Sequence, residues 1–421
     1  MTSYNLWQVI KGGLNGQAHW SKAFENCDQP KASYDAIIIG GGGHGLATAY
    51  YLAKNHGMTN IAILERGTIG QGNVGRNTTV VRSNYELHAN TNFYELSVKL
   101  WESLSHDLNY NVMFSQRGVT NIAHTPGEFD GFRRRGNAMR LNGVDAQLFN
   151  VDQLKQRYPM LNYNPHARFP IVGGLHQRRA GTARHDAVAW GFARAAYQRG
   201  VDLLQNCPVE GFIIENGKVV GVETPKGQIK APKIGVAVAG HTSRVMAMAG
   251  IERLPIESHL LQACISEGLK PFIDGVVTFG GGGHFYLSQT DKGGLIFGGD
   301  LDFYNSYSAK GNLTTIGTVT DIAKALIPNI SRVRLLRHWG GVMDMSMDGS
   351  PILSKTPIDG LYLNGGWCYG GFKATPASGY CFAHLLATGA PHPKAADFTL
   401  ERYHQGAVID ERGAGASPKL H

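Results

Sequence analysis

Residues 33–67 read SYDAIIIGGGGHGLATAYYLAKNHGMTNIAILERG, and this stretch decides the fold. Ala36 to Ile39 is a short, wholly apolar run, the signature of a parallel strand buried on both faces. Gly40, Gly42 and Gly45 then fit G-x-G-x-x-G. The first permits a tight turn, the second lets backbone approach a pyrophosphate, and the third lets a helix pack on the strand. Leu46, Ala49, Tyr50 and Ala53 recur at helical spacing until His56-Gly57. A second apolar run, Asn60 to Leu64, ends in Glu65, a carboxylate suited to accept hydrogen bonds from a ribose 2′-hydroxyl. Glycines alone are a weak signal. Strand, glycines, helix, strand and acid in that order within about 32 residues are a strong one. A pyrophosphate would sit on the N-terminus of the helix that begins near His44, where free amides and the helix dipole favour negative charge.

Beyond Glu65 the pattern changes. Residues 66–85, RGTIGQGNVGRNTTVVRSNY, form a polar loop rather than the third apolar βα unit with which a nicotinamide dehydrogenase continues. A loop carrying Asn73, Arg76, Asn77, Thr78 and Arg82 suits a flavin and its substrate. Two later segments, KIGVAVAGHTS (233–243) and GLYLNGGWCYGGFKATPASG (360–379), are strand-then-glycine patterns that return the chain to the same sheet. The nucleotide domain is therefore discontinuous, which favours FAD over NAD.

Composition agrees with an enzyme of this size. At 421 residues the chain can bury a sizeable core and divide into two domains. Hydrophobic residues at 43% and charged residues at 17% place it among globular proteins. Glycine, at 55 residues, is nearly twice the usual level of about 7%. The net charge of +8 has no aromatic-interleaved basic module, so anionic ligands or an acidic partner surface fit it better than nucleic acid. The five cysteines are far apart and form no CxxC pair, which reads as thiols in a reducing cytoplasm. No run of 18 apolar residues and no signal-peptide core occurs, so no membrane span is expected. No cluster of His, Cys and acid has ligand spacing, so no metal is expected. The opening arm, with Trp7, Trp20 and Phe24, is suited to packing on this chain or on a neighbour.

A second informative stretch is QRRAGTARHDAVAWGFARAA, Gln177 to Ala196. Three arginines, a histidine and an aspartate precede and open a helix. By residue type alone His185 completes a helix cap, with Asp186 as the amide acceptor. Set amid positive charge, it is also a candidate for work on an anionic ligand, and His176 is its nearest rival.

The chain resembles the amine-oxidising flavoproteins that include D-amino-acid oxidase and sarcosine oxidase, and more narrowly the beta subunits of the heterotetrameric sarcosine oxidases. The resemblance covers nearly the whole chain. Besides the dinucleotide stretch it rests on GRNTTVVRSNY, NVMFSQRGV, RRAGTARHDAVAWGFARAA, WGGVMDMSMDGSPILSKTP and GGFKATPASG. It implies non-covalent FAD, a second flavin (FMN) bound covalently through a histidine, and partner alpha, gamma and small delta subunits, the alpha subunit of folate/NAD type. The family's attachment histidine lies in a basic-His-Asp step that opens a helix, here Arg184-His185-Asp186, with Arg178, Arg179 and Arg184 near enough to steady the FMN phosphate. The matching lysine, Lys373, binds the substrate carboxylate, with Arg82 as its partner. Tyr286 is placed on the substrate side, although an aromatic at strand spacing is equally a core residue. FAD contacts are expected from Gly40, Gly42, Gly43, His44, Gly45, Glu65 and Arg66, from the loop residues Asn73, Arg76, Asn77 and Thr78, and from Val209, Gly366, Gly370 and Gly371.

The chain also departs from the family. Ile296 and Asp300 stand where the monomeric sarcosine oxidases have an oxygen-activating lysine and a histidine, which points to electrons leaving through a second flavin. Gly366-Trp367-Cys368-Tyr369 replaces the usual Gly-Trp-Gly-Thr, and the stretch after Tyr85 differs. The expected fold is an α/β, Rossmann-like FAD domain (34–105, 170–240 and 331–395) with an α+β substrate domain on a large antiparallel sheet (106–169 and 241–330). Residues 1–33 form an N-terminal arm and 396–421 a C-terminal tail. The expected activity is oxidative demethylation of sarcosine. N-methylglutamate is the rival substrate, which needs one more cationic or polar group in the altered 85–95 or 367–369 stretches. A flavin carrier without catalysis is the alternative of another class.

Overall fold

A computed structural model of the chain describes residues 5–16, 22–279, 285–301 and 304–411. Ala36–Ile39 is a completely buried strand at the heart of a six-stranded sheet. The spatial order is Ile352–Lys355, Leu361–Gly365, Ile234–Val236, Ala36–Ile39, Ile61–Leu64, Asp202–Leu204. Every neighbouring pair is parallel except the first. The strands come from four separate parts of the sequence, so the discontinuity read from the glycine segments is real. The helix Gly43–His56 follows the first strand and ends at Gly57, whose φ of +65° supplies a left-handed C-cap. It is buried along most of its length because the helices Gly371–Thr388 and His185–Tyr197 pack on it. Contact with the first is close enough that a Cβ on Gly379 would lie 2.4 Å from the Ala47 Cβ.

The second layer is an eight-stranded sheet, ordered Leu335–Ser346, Ile256–Gly268, Gly294–Leu301, Phe285–Gln289, Val276–Phe279, Val119–Ala123, Gly173–Gln177, Gln147–Phe149. It is antiparallel except where Val276–Phe279 runs parallel to Val119–Ala123. Helix Leu313–Leu326 covers a separate apolar core with Val319, Ile322, Ala323 and Leu326, at helical spacing.

Three expected boundaries need correction. Gly173–Gln177 and Leu335–Ser346, assigned above to the nucleotide domain, hydrogen-bond into the large sheet instead. Their ladders are antiparallel, and which sheet a strand joins is not revealed by its pattern alone. Residues 396–411 are no loose tail: Phe398 is wholly buried and Arg402 forms an ion pair with Asp348 inside the protein. In the N-terminal arm, Phe24 packs on Trp190 with ring centroids 5.3 Å apart, whereas Trp7 stays exposed. Trp20 lies outside the described residues. None of the described helices is long and apolar enough to cross a membrane.

Candidate active site

One cavity of about 1540 Å³ runs from the glycine loop to the large sheet. At its nucleotide end the glycines divide the work. Gly40 has φ +112°, and a Cβ there would lie 2.3 Å from the Ala237 carbonyl oxygen. A Cβ on Gly45 would strike the Gly40 carbonyl oxygen at 2.0 Å. Gly42 differs: nothing lies within 4 Å of its missing Cβ, so it opens a cradle that a side chain would fill. Glu65 braces the turn by accepting from the Gly41 and Gly67 amides, each at 2.8 Å. Gly43, Arg66 and Val209 complete this end of the wall. Gly45 and Gly366 stand behind it. Gly366, with φ +69°, packs on Ser346 and Ile352 at a turn.

His44 faces the cavity, but both ring nitrogens are engaged. Its Nε2 donates to the Gly371 carbonyl at 2.8 Å, and its Nδ1 meets the Ser378 hydroxyl at 2.5 Å. Burial pushes its pKa down to about 4. The imidazole therefore works as a neutral peg between two helices. The loop residues are similarly committed. Asn73 donates to the Val342 carbonyl, Arg76 to the Gln71 and Gly72 carbonyls, and Asn77 accepts the Thr79 amide at 2.6 Å. Asn73, Arg76, Asn77 and Thr78 still line the cavity, but the first two serve chiefly to fasten the loop.

At the other end Lys373 occupies the first turn of Gly371–Thr388, only 5% exposed. Its Nζ donates to the Tyr369 carbonyl at 2.6 Å. Burial, with the charge of Arg82 nearby, holds its pKa well below the ordinary lysine value. Arg82 lies over the Tyr85 ring at 5.1 Å and donates to Asn84. Asn84 donates in turn to Asn121, and Asn121 to Thr278 at 2.7 Å, a chain of side-chain amides reaching the large sheet. Tyr85 stacks on Tyr94 at 4.1 Å. Tyr94 explains Gly370, where a Cβ would lie 1.8 Å from its hydroxyl. The Tyr286 hydroxyl, on Phe285–Gln289, is buried without a hydrogen-bond partner, and burial raises its pKa. Lys373, Arg82 and Tyr286 thus share the cavity with the glycine cradle.

Cys368 keeps the backbone shape that a glycine would take, with φ +49°, a conformation costing a non-glycine residue roughly 1–2 kcal/mol. Its sulfur accepts the Ser346 amide at 3.3 Å. Ile296 pairs with Ser288 and Ile265 in the large sheet and does not line the cavity. The Asp300 side chain lies outside the described part.

His185 stands away from this cavity, as the first residue of His185–Tyr197. Arg184 is the N-cap and makes no side-chain cap bond. Asp186 accepts from Arg184 at 3.0 and 2.8 Å and from the adjoining Ala187 amide, so neither residue caps the helix as expected. The His185 Nδ1 is shielded from solvent with no hydrogen-bond partner. Burial lowers its pKa; Asp186 opposes this, and Arg184 and Arg337 reinforce it. The result is a neutral imidazole with a free nitrogen. The rival His176 has its Nδ1 engaged by the Thr120 hydroxyl at 2.9 Å and its ring stacked on Phe149. Arg179 is held by Glu95 and Glu102 at 2.5 and 2.8 Å, which removes it from the expected phosphate group. Arg178 is exposed.

Among the wall residues that escape the sequence analysis are Arg135 and Glu411. Arg135 belongs to a basic run, FRRRG at Phe132 to Gly136, and its place on the buried stripe of Pro126–Leu141, between Phe132 and Met139, is the signal that could have found it. Glu411 comes from the supposed tail and carries no local signal.

The family described as "FAD dependent oxidoreductase" matches residues 35–385. The chain belongs to this family. It is 62% identical to sarcosine oxidase subunit beta of Rhizobium meliloti (strain 1021), over 99% of this chain and all of that one. It is 49% identical to sarcosine oxidase subunit beta of Arthrobacter sp, over 92% and 95% of the two chains. Among solved structures, L-proline dehydrogenase from P. horikoshii superposes with a TM-score of 0.83 at 27% identity, covering 90% of this chain and 99% of that one. The protein is a flavoprotein oxidoreductase, and the open cradle at Gly42 fits its FAD.

Proposed function

We propose that this chain is the catalytic flavin subunit of a multi-subunit enzyme that oxidatively demethylates sarcosine to glycine and a one-carbon unit, acting on the CH–NH group. The observation that carries this reading is the placing of Lys373 and Arg82, two basic side chains with no carboxylate partner among the described residues, in one cavity with the FAD cradle. A substrate carboxylate answers both, and desolvated charge–charge hydrogen bonds of this kind hold a small ligand in one orientation. Lys373 is suited to it: burial and the charge of Arg82 lower its pKa, and an anion beside it favours its charged form. Held at the Gly42 cradle, FAD would supply the two-electron acceptor for the hydride lost from the N-methyl carbon as the C=N bond forms, and FMN on His185 would supply the onward electron path. The aromatic pair Tyr85–Tyr94 and the shielded Tyr286 exclude water from the methyl side. No strong base is required if the amine binds neutral.

His185 is the FMN attachment point in this reading. A neutral imidazole with one unengaged nitrogen is what nucleophilic attachment needs, and its place outside the FAD cavity leaves room for a second flavin against a partner. The name subunit beta, borne by the similar sarcosine oxidases, supports a multi-subunit assembly; alpha, gamma and delta partners, a folate-type carrier on the alpha subunit and a cytoplasmic setting are part of the same proposal.

Mass spectrometry of the denatured holoprotein tests the flavin assignment. FMN mass on the peptide holding His185, with FAD released freely, is expected, and His185→Ala should lose the FMN alone. An unmodified peptide with FAD as the sole flavin would overturn the two-flavin path. Anaerobic sarcosine should bleach the flavin absorbance; no bleaching would overturn the substrate.

A further inference from the structure

Arg82, Lys373, Arg134 and Arg135 are among the cations that line the cavity; Arg134 is paired with Glu86, and a substrate with a single carboxylate answers only part of the remaining charge. Arg82 donates to Asn84 and Lys373 to a carbonyl oxygen. Arg135 is less engaged than either. It lies 5.9 Å from the Phe132 ring, and its Nε is shielded from solvent without a partner. Among the described residues no hydrogen bond or ion pair engages its guanidinium.

The nearby carboxylates do not fill the gap, because their oxygens are engaged elsewhere. Glu411 accepts the backbone amides of Glu86 and Leu87 at 2.8 and 3.2 Å and the Asn90 side chain at 3.1 Å. Glu86 pairs with Arg134 at 2.5 Å. A guanidinium presents five donors in a planar fork that matches a carboxylate; Glu411 and Glu86 favour the Arg135 charge electrostatically, but shielding its donors from water with no hydrogen-bonded anion is unfavourable. Arg82 is the charged neighbour that Lys373 and Arg135 share. An amino acid held by Lys373 and Arg82 through its α-carboxylate therefore has a further cation beside it.

We propose that Arg135 is a second anion-recognition point in this cavity, and that the chain also oxidises N-methyl amino acids bearing a side-chain carboxylate, N-methylglutamate being the simplest probe. The extra cation comes from the helix Pro126–Leu141, not from residues 85–95 or 367–369. The proposal rests on the reading of the cavity as an N-methyl amino acid site. Bond changes are those of sarcosine oxidation: the N-methyl C–H bond breaks with hydride transfer to FAD, and the distal carboxylate takes no part.

The test uses the full chain with its flavins, in the assembly in which it is isolated. Rates of anaerobic flavin reduction are measured with sarcosine, N-methyl-L-glutamate and its uncharged analogue N-methyl-L-glutamine. The glutamate compound is expected to exceed the glutamine compound in kcat/KM by about tenfold or more, the worth of one charge-assisted hydrogen bond. That ratio should fall towards one in Arg135→Gln and recover in part in Arg135→Lys. A ratio near one in the parent, or one that Arg135→Gln leaves unchanged, overturns the proposal. Flavin reduction by sarcosine with neither larger substrate active overturns this proposal alone. No reduction by any of the three overturns it together with the sarcosine reading. Should Arg135→Gln fail to hold flavin, inhibition of the parent by glutarate against butyrate replaces it: preference for glutarate is expected, and equal inhibition overturns the proposal.

Discussion

Arg402 and Arg135 are both guanidinium groups withdrawn from water, and their surroundings differ completely. Arg402 is saturated. Its Nε and one terminal nitrogen grip the two oxygens of Asp348 at 2.8 and 2.9 Å, and its other donors reach the Pro351, Ser350 and Thr399 carbonyls. Asp348 is saturated in turn by Tyr403 and the Ile409 amide at 2.8 and 3.0 Å. Burial opposes its ionisation, but these donors hold its pKa below the usual carboxylate value. Arg135 has no such shell. A satisfied buried charge pins the chain, here the segment 398–411 against the sheet. An unsatisfied one in a cavity wall awaits a ligand. Asp344 falls between them: it accepts the Trp367 amide at 3.2 Å, has no cation beside it, and burial pushes its pKa up to about 6.

The comparison breaks most visibly at the saturated pair. Asp348→Ala leaves Arg402 buried and uncompensated, and should lower unfolding free energy by about 3–5 kcal/mol in urea titration. A loss under 1 kcal/mol would mean the pair is better solvated than its geometry implies.

Lys373→Met should do the reverse. It removes an unsatisfied cation, so thermal stability should hold or rise while kcat/KM falls about 30- to 150-fold, or about 2–3 kcal/mol of transition-state binding. The same lysine sets a pH dependence. Acetate titrated against the bound flavin spectrum should bind more weakly as pH rises through the lowered lysine pKa, and Lys373→Arg should flatten the curve.

The intermediate case has the smallest effect. Because the Asp344 pKa is raised, its contribution to stability is fully present below the ordinary value of 3.8 and is lost as pH rises through about 6. Asp344→Asn keeps an acceptor for the Trp367 amide and carries no charge. It should exceed the parent in stability by about 1–3 kcal/mol above pH 6, and the gap should close below pH 4 in melting curves taken across that range.

The nucleotide end was legible because its constraints are local. Gly40, Gly42 and Gly45 are set by turn geometry and by the close approach of one strand and one helix, all within a few residues of sequence. Lys373 and Arg82 were singled out by the family resemblance, and the structure places both in the cavity wall. The substrate end was harder. Gly366 looked like a cofactor contact and proves to be a turn behind the wall, since a glycine's sequence context does not say which side of the chain is crowded. Arg179 looked like a phosphate ligand because its partners, Glu95 and Glu102, are more than seventy residues away. Glu411 was invisible for the same reason.

By itself the sequence determined the Rossmann-like start, the discontinuous sheet and the choice of flavin over nicotinamide. These follow from period and glycine spacing, which are properties of neighbouring residues, whereas the candidate positions His185, Lys373 and Arg82 came from the family resemblance. Only the tertiary structure decided which charges are neutralised. The pairing of Arg402 with Asp348, the commitment of Arg179 and the openness of Arg135 depend on side chains brought together from distant segments. Whether a buried charge is structural or awaits a ligand is set by the partners that folding places within hydrogen-bond reach.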